Sequence, residues 1–246
     1  MRSYARHQLK QDAFTTSTAE TISWAVEHRS TLIATGIALA IALAALIGGW
    51  AYINYRNQQS RGELAQAIQK YNAPIRPAGA PATPDVLSYG SSRERDQAAN
   101  AEFSRIAKKY SFTESSEVAR YFAGVTARDL GENAAAESDL KEVAGSHYAE
   151  IASLAKLSLA AVYHDTNRNQ QAIDLYKQLI AHPTVSVGKS TAQFALAALY
   201  ESMAQPDEAR HIYEQMQKES PGTMVAELAG QKLQALGAPP QLQPQP

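Results

Sequence analysis

Several short arrangements carry residue types that catalysis or ligand binding uses, and each lacks the spacing the chemistry needs. Gly188-Lys189-Ser190 has the lysine and hydroxyl that end a phosphate-binding loop, whose backbone amides and lysine cradle phosphates. The glycine such a loop needs five residues earlier is Pro183, and no strand pattern precedes it. The tripeptide therefore reads as a loop before a helix, with Ser190 or a neighbour as the cap. His7, His28, His147, His164, His182 and His211 are scattered, and no two stand four apart around a glutamate as a helical zinc site requires. Gly145-Ser146-His147 lacks the second glycine of a nucleophile elbow. Glu137, Asp139 and Glu142 spread around one helix surface, as on a solvated face. The expectation is a protein with no catalytic residues, no metal and no cofactor.

Composition narrows the field further. The 246 residues are one to two domains' worth of chain and contain no cysteine. That excludes a disulfide scaffold, thiol catalysis, cysteine-bound zinc and a lipid-modified cysteine. A balance of 23 basic against 24 acidic residues, net −1, offers no field for nucleic acid. The mean hydropathy of −0.33 hides an uneven distribution, because no charged residue occurs from Ser30 to Tyr55.

Leu32 to Ile53 is almost wholly apolar, and as a helix rising about 1.5 Å per residue it is long enough to span a bilayer. It is longer and starts later than the apolar core of a cleaved signal peptide, so an uncleaved single-pass anchor is expected. Trp50, Tyr52 and Tyr55 sit where amphipathic rings favour the headgroup level. Charge counting does not orient the span: Arg29 lies close on one side, and Arg56, Arg61 and Lys70 on the other. Gly36, Ala40, Ala44 and Gly48 form a stripe of small residues that suits close packing of a second membrane helix. The competing reading is compositional, since alanine and glycine fill much of the span.

The remaining chain reads as helical. Residues 1–29 form a short N-terminal segment in which Ser17 and Glu20 resemble a capping box. The transmembrane helix covers 30–54, and Leu64, Ala67, Ile68 and Tyr71 predict an amphipathic helix over 55–73. Pro74, Pro77, Pro81 and Pro84 make 74–91 a linker or long loop. A helical domain follows over 92–237, and the Pro/Gln tail 238–246 is expected to be disordered.

Within 92–237 several columns repeat in register. Ala99, Ala136, Ala172 and Ala209 recur at 36–37 residue intervals, with Phe103, Leu140, Tyr176 and Tyr213 four positions on. Ile106, Val143, Leu179 and Met216 lie seven on, and Gly124, Ala160 and Ala197 stand twelve before the last three alanines. Small residues let paired helices approach, the larger ones fill the space beside the crossing, and each pair leaves an apolar face for the next. Ser92 to Lys109 reads as a half unit ahead of the repeats, and Thr223 to Leu236 as a terminal capping helix.

These columns resemble the tetratricopeptide repeat. The match is good for Leu159, Ala160, Tyr163, Ala172, Tyr176 and Pro183, and again for Leu196, Ala197, Tyr200, Ala209, Tyr213 and Pro221. In the first unit Ala127 replaces the aromatic. The resemblance implies an all-α chain: one transmembrane helix followed by a short tetratricopeptide-like α-solenoid of antiparallel helix pairs. The order of parts also resembles bacterial single-span proteins of the ancillary Sec-translocon subunit type. Trp24, His28 and Arg29 precede the span, Gly48, Gly49 and Trp50 end it, and an amphipathic helix leads to the repeats. That narrower resemblance implies an inner-membrane protein with a periplasmic repeat domain contacting the translocon, envelope chaperones or exported polypeptides. In the repeat register the concave, partner-binding face comprises Tyr121, Phe122, Val125 and Arg128, then Leu157, Ala161 and His164, then Phe194, Ala198 and Glu201. Contact of some of these with the terminal helix or with 56–72 is the competing reading. The Lys, Asn and Arg with which cytosolic tetratricopeptide co-chaperones grip a terminal carboxylate are here Tyr121, Val125 and Ser158, so that activity is not expected. A self-associating scaffold of an envelope assembly is the alternative to partner docking.

Overall fold

A computed structural model of the protein describes residues 28–77, 79, 81, 86–111 and 113–237. The Ser17–Glu20 pair and the tail 238–246 lie outside the described residues. Those residues form helices α1 (Arg29–Tyr71), α2 (Ser92–Lys109), α3 (Glu114–Asp129), α4 (Asn133–Ala144) and α5 (Ala149–Asp165). They continue with α6 (Asn169–Ala181), α7 (Lys189–Ser202), α8 (Pro206–Glu219) and α9 (Met224–Gly237). Extended structure among them is limited to one bridge between Ile75 and Tyr89. The chain divides into two compact units, Met1–Tyr55 and Arg56–Pro246.

The described part of the first unit is the apolar stretch of α1. It is long and apolar enough to cross a membrane, and protein buries none of its most apolar window. Trp50, at 69% exposure, and Leu39, at 71%, show the character of that surface. Thr35, the one hydroxyl between Leu32 and Trp50, turns back to the carbonyl of Thr31 at 2.6 Å, which lowers the cost of placing it among apolar groups.

The second unit is the all-helical stack that the repeat columns predict. From α2 onward each helix packs on its neighbours in sequence, and α3 also meets α5. The column alanines Ala99, Ala136, Ala172 and Ala209, and Ala160 and Ala197 opposite them, are all 0% exposed. The turns inside the helix pairs share one device. Gly131, Asn167 and Ala204 take positive φ, and the amide after each bonds a carbonyl five residues back: Glu132 to Ala127, Arg168 to Tyr163 and Gln205 to Tyr200, at 2.7–2.9 Å. The turn between pairs at 182–188 is longer and is pinned to α5. Glu150 accepts from the amide of Ser186 at 2.7 Å, and Ser153 bonds Thr184 at 2.8 Å. Lys189 begins α7 with Gly188 at the cap position and no side-chain cap, so the capping role expected of Ser190 or a neighbour is not made by a side chain.

The segment over Ser92–Lys109 is not a half unit. Residues 56–71 of α1 lie antiparallel to it and complete a helix pair. Glu63 accepts from Arg105 at 2.8 Å, Lys109 at 2.6 Å and the Tyr110 hydroxyl at 2.8 Å, and Arg56 donates to the carbonyl of Lys109. Further along, Tyr71 meets Phe103 edge-on, and Ala67, 0% exposed, joins Ala99, Ile106 and Ala123 in a separate small core. The proline-containing segment after α1 returns on itself: Arg76 donates its amide to the Tyr89 carbonyl at 2.8 Å and its guanidinium to the Ser88 carbonyl at 2.7 Å.

Gly124 marks a close crossing in the stack. A Cβ there stands 2.7 Å from Cγ of buried Leu140 and 3.3 Å from the carbonyl of Ala136, so α3 and α4 pack at a distance only glycine permits. Gly124→Val is expected to destabilise the full chain by about 2 kcal/mol, because overpacking outweighs any gain for the helix. Thermal unfolding in a neutral detergent measures this, and Ala161→Val, on a partly exposed position, is the matched control. Glu63 supplies a second test. The Lys109 ammonium, helped by Tyr110 and Arg105 and opposed by burial, holds its carboxyl at about 2. Its contribution to folding is full above the ordinary carboxylate range and drains as pH falls from about 4.5 towards 2. Glu63→Gln should cost about 1 kcal/mol at pH 7, after allowance for screening of a partly exposed group, and nothing measurable near pH 2.

Candidate protein-binding surface

The residues expected on the concave face lie on α3, α5 and α7, the first helices of three successive pairs. All of them are partly or fully solvent-accessible. They divide by what they touch. Phe122 stacks on Phe103 with centroids 5.0 Å apart and meets Tyr71 at 5.8 Å, so its ring completes the small N-terminal core. Tyr121, edge-on to Phe122 at 5.2 Å, and Val125, Leu157 and Phe194 pack against the margin of the larger core and keep outer surface. Ala161 is partly exposed and Ala198 exposed, each a small floor position between larger neighbours.

The polar members form a row that ties each pair to the next. Arg128 of α3 donates to Asp165 of α5 at 2.7 Å. His164 Nδ1 lies 2.8 Å from Asn169, and its Nε2 lies 3.3 Å from the Ser202 hydroxyl on α7. Glu201 accepts from the Tyr213 hydroxyl and stands 3.9 Å from Lys232 on α9. Burial and the hydrogen bond to Glu201 raise the Tyr213 pKa, so the phenol stays a donor. Of the expected face, then, Tyr121, Val125, Leu157, Ala161, Phe194 and Ala198 leave apolar surface free, while Phe122, Arg128, His164 and Glu201 hold the stack together.

Two cavities lie elsewhere, and the repeat register alone does not point to them. One of about 240 Å³ opens between α6, α7 and α8, with Leu196, Tyr200 and Ile212 at its base and Lys177, Glu208 and His211 around it. The other, about 440 Å³, lies between the first turns of α3 and α5, against Val118, Tyr148, Ile151 and Leu154. Leu196 and Tyr200 of the first cavity are themselves repeat positions, whereas no matched repeat position lines the second. Among the described residues no group of three histidines and carboxylates could hold a metal. The carboxyls with raised pKa are Asp129, through burial and Asp96, and Asp139, through burial against Arg120. Neither lines either of the two cavities described above.

A family model described as a tetratricopeptide repeat-like domain matches residues 23–238. Comparison with curated proteins and with solved structures gives no match. Because the family match takes in the paired-helix stack and the apolar helix ahead of it, the chain belongs to the tetratricopeptide repeat-like domain family, a domain type that typically binds protein partners and carries no catalysis.

Proposed function

We propose that the protein is a membrane-anchored docking module without enzymatic activity, whose helical stack binds protein partners on the outer side of a bacterial inner membrane. The observation that carries the reading is the pairing of one unburied apolar helix with a stack that leaves Tyr121, Val125, Leu157 and Phe194 partly uncovered. Rigid aromatic and aliphatic side chains on a preformed curved face suit extended or helical peptide segments. The order of parts supports the finer reading of a role beside the Sec translocon, with envelope chaperones or emerging exported polypeptides as partners.

The reading has two tests. A phosphatase reporter fused after Gly237 should be active in the periplasm, and a reporter active only in the cytoplasm removes the envelope role. A photo-crosslinking side chain at Phe194 should capture translocon, chaperone or nascent polypeptide in cells, whereas Lys218, on the exposed side of α8, should not. Equal capture at both positions defeats docking at the concave face.

A further inference from the structure

We propose that the cavity between the first turns of α3 and α5 is a second docking site, for a bulky apolar side chain of a partner peptide flanked by lysine or arginine. The space of about 440 Å³ falls in the range of ~300–1,000 Å³ typical of pockets that bind organic groups. Val118, Ile151 and Leu154 form its apolar lining, and the half-buried Tyr148 ring closes one side. The Tyr148 ring stands 4.0 Å from that of His147, and its hydroxyl makes no hydrogen bond among the described residues, leaving it free to meet a peptide carbonyl. Val185, 97% exposed, lies on the loop whose amides bond Glu150.

Charge selects the occupant. Glu114 and Glu150 line the cavity, no lysine or arginine does, and Glu117 adds its carboxylate from the same turn of α3 with one oxygen buried and unpartnered. Each of the two helix starts contributes only about half a positive charge, so the carboxylates leave the site net negative. At the start of α3 Thr113 accepts from the Ser116 amide, and at the start of α5 the Glu150 carboxylate accepts from the amide of Ser186 in the 182–188 loop. An acidic peptide or a terminal carboxylate meets the Glu114 and Glu150 carboxylates here. A basic segment meets complementary charge on both sides of an apolar slot, which favours both encounter and register. The site is separate from the concave face, and the proposal does not rest on the export reading.

The test uses the full chain in lipid nanodiscs and three fluorescein-labelled peptides in a Gly/Ser background: one leucine flanked by lysines, the same with aspartates, and the lysine version with glycine for leucine. Anisotropy titrations should show the Lys-Leu-Lys peptide binding about tenfold more tightly than either control, with the preference shrinking as salt rises. Ala149→Trp, at an exposed position on the cavity wall, should fill the slot and weaken binding by about tenfold. Glu114→Gln should weaken it about threefold and flatten the salt dependence. Unchanged helical circular dichroism keeps both variants interpretable. Equal affinity for the three peptides, or full affinity in Ala149→Trp, overturns the proposal. Crosslinking from Phe194 that persists in Ala149→Trp shows the concave face to be intact, so failure here and failure there are told apart.

Discussion

The stack depends on how closely its paired helices approach at their crossings. At each crossing two small residues face each other, Gly124 against Ala136, Ala160 with Ala172, and Ala197 with Ala209, and the side chain four positions later closes the space beside them. A crossing this close leaves no room for adjustment, so the helix pair behaves as a rigid slab. The polar links then act between slabs: Glu137 takes a two-pronged contact from Arg168 at 2.6 and 3.0 Å, and Arg128 reaches Asp165. Packing supplies the energy and the ion pairs fix the angle at which the slabs stack, because partly exposed pairs are individually weak.

The same constraint explains the role of residues 56–71. A helix carrying the column residues Ala99, Phe103 and Ile106 has an apolar face that must be covered, and α1 covers it with Ala67, Leu64 and Tyr71. The contact is polar at one end, where Glu63 gathers Arg105, Lys109 and Tyr110, and aromatic at the other, where Tyr71 meets Phe103 and Phe122. Arg95 over the Tyr71 ring at 5.5 Å adds a cation to the aromatic end. Phe122 is drawn inward by this cluster, which removes it from the partner-facing surface.

The helices and their pairing were readable because the crossings repeat: a fixed interval between small residues is a property of the one-dimensional chain. The first pair escaped that reading for a physical reason. Ala67 and Ala99 perform the same contact as Ala160 and Ala172, yet 32 residues separate them instead of 12, since the loop after Tyr71 carries the prolines and returns through the Ile75–Tyr89 bridge. Loop length costs little free energy, so an insertion there leaves the packing unchanged while erasing the period. The division of the concave face was hidden for a related reason. Arg128, His164 and Glu201 occupy equivalent positions but differ in type, and each is consumed by a different partner, Asp165, Ser202 or Lys232, so the period alone does not announce the contacts.

Recurrence and specificity are therefore complementary in this chain. A residue that recurs at each unit is explained by the contact that each unit must make, and it cannot distinguish one partner from another along the stack. Selectivity has to come from side chains that break the period. Tyr121 has Leu157 and Phe194 as its nearest counterparts on α5 and α7, three different shapes presented along one face. At the α3–α5 edge, Val118 and Leu154 hold equivalent positions of successive units, and Tyr148 and Ile151 gather with them around one space. Burying apolar surface is favourable by roughly 25 cal/mol per Å², and these groups share in it: Ile151 is buried, and Val118, Tyr148 and Leu154 pack against the larger core while keeping part of their surface accessible. Any information for recognition therefore has to sit in the accessible part of residues whose identity changes from unit to unit.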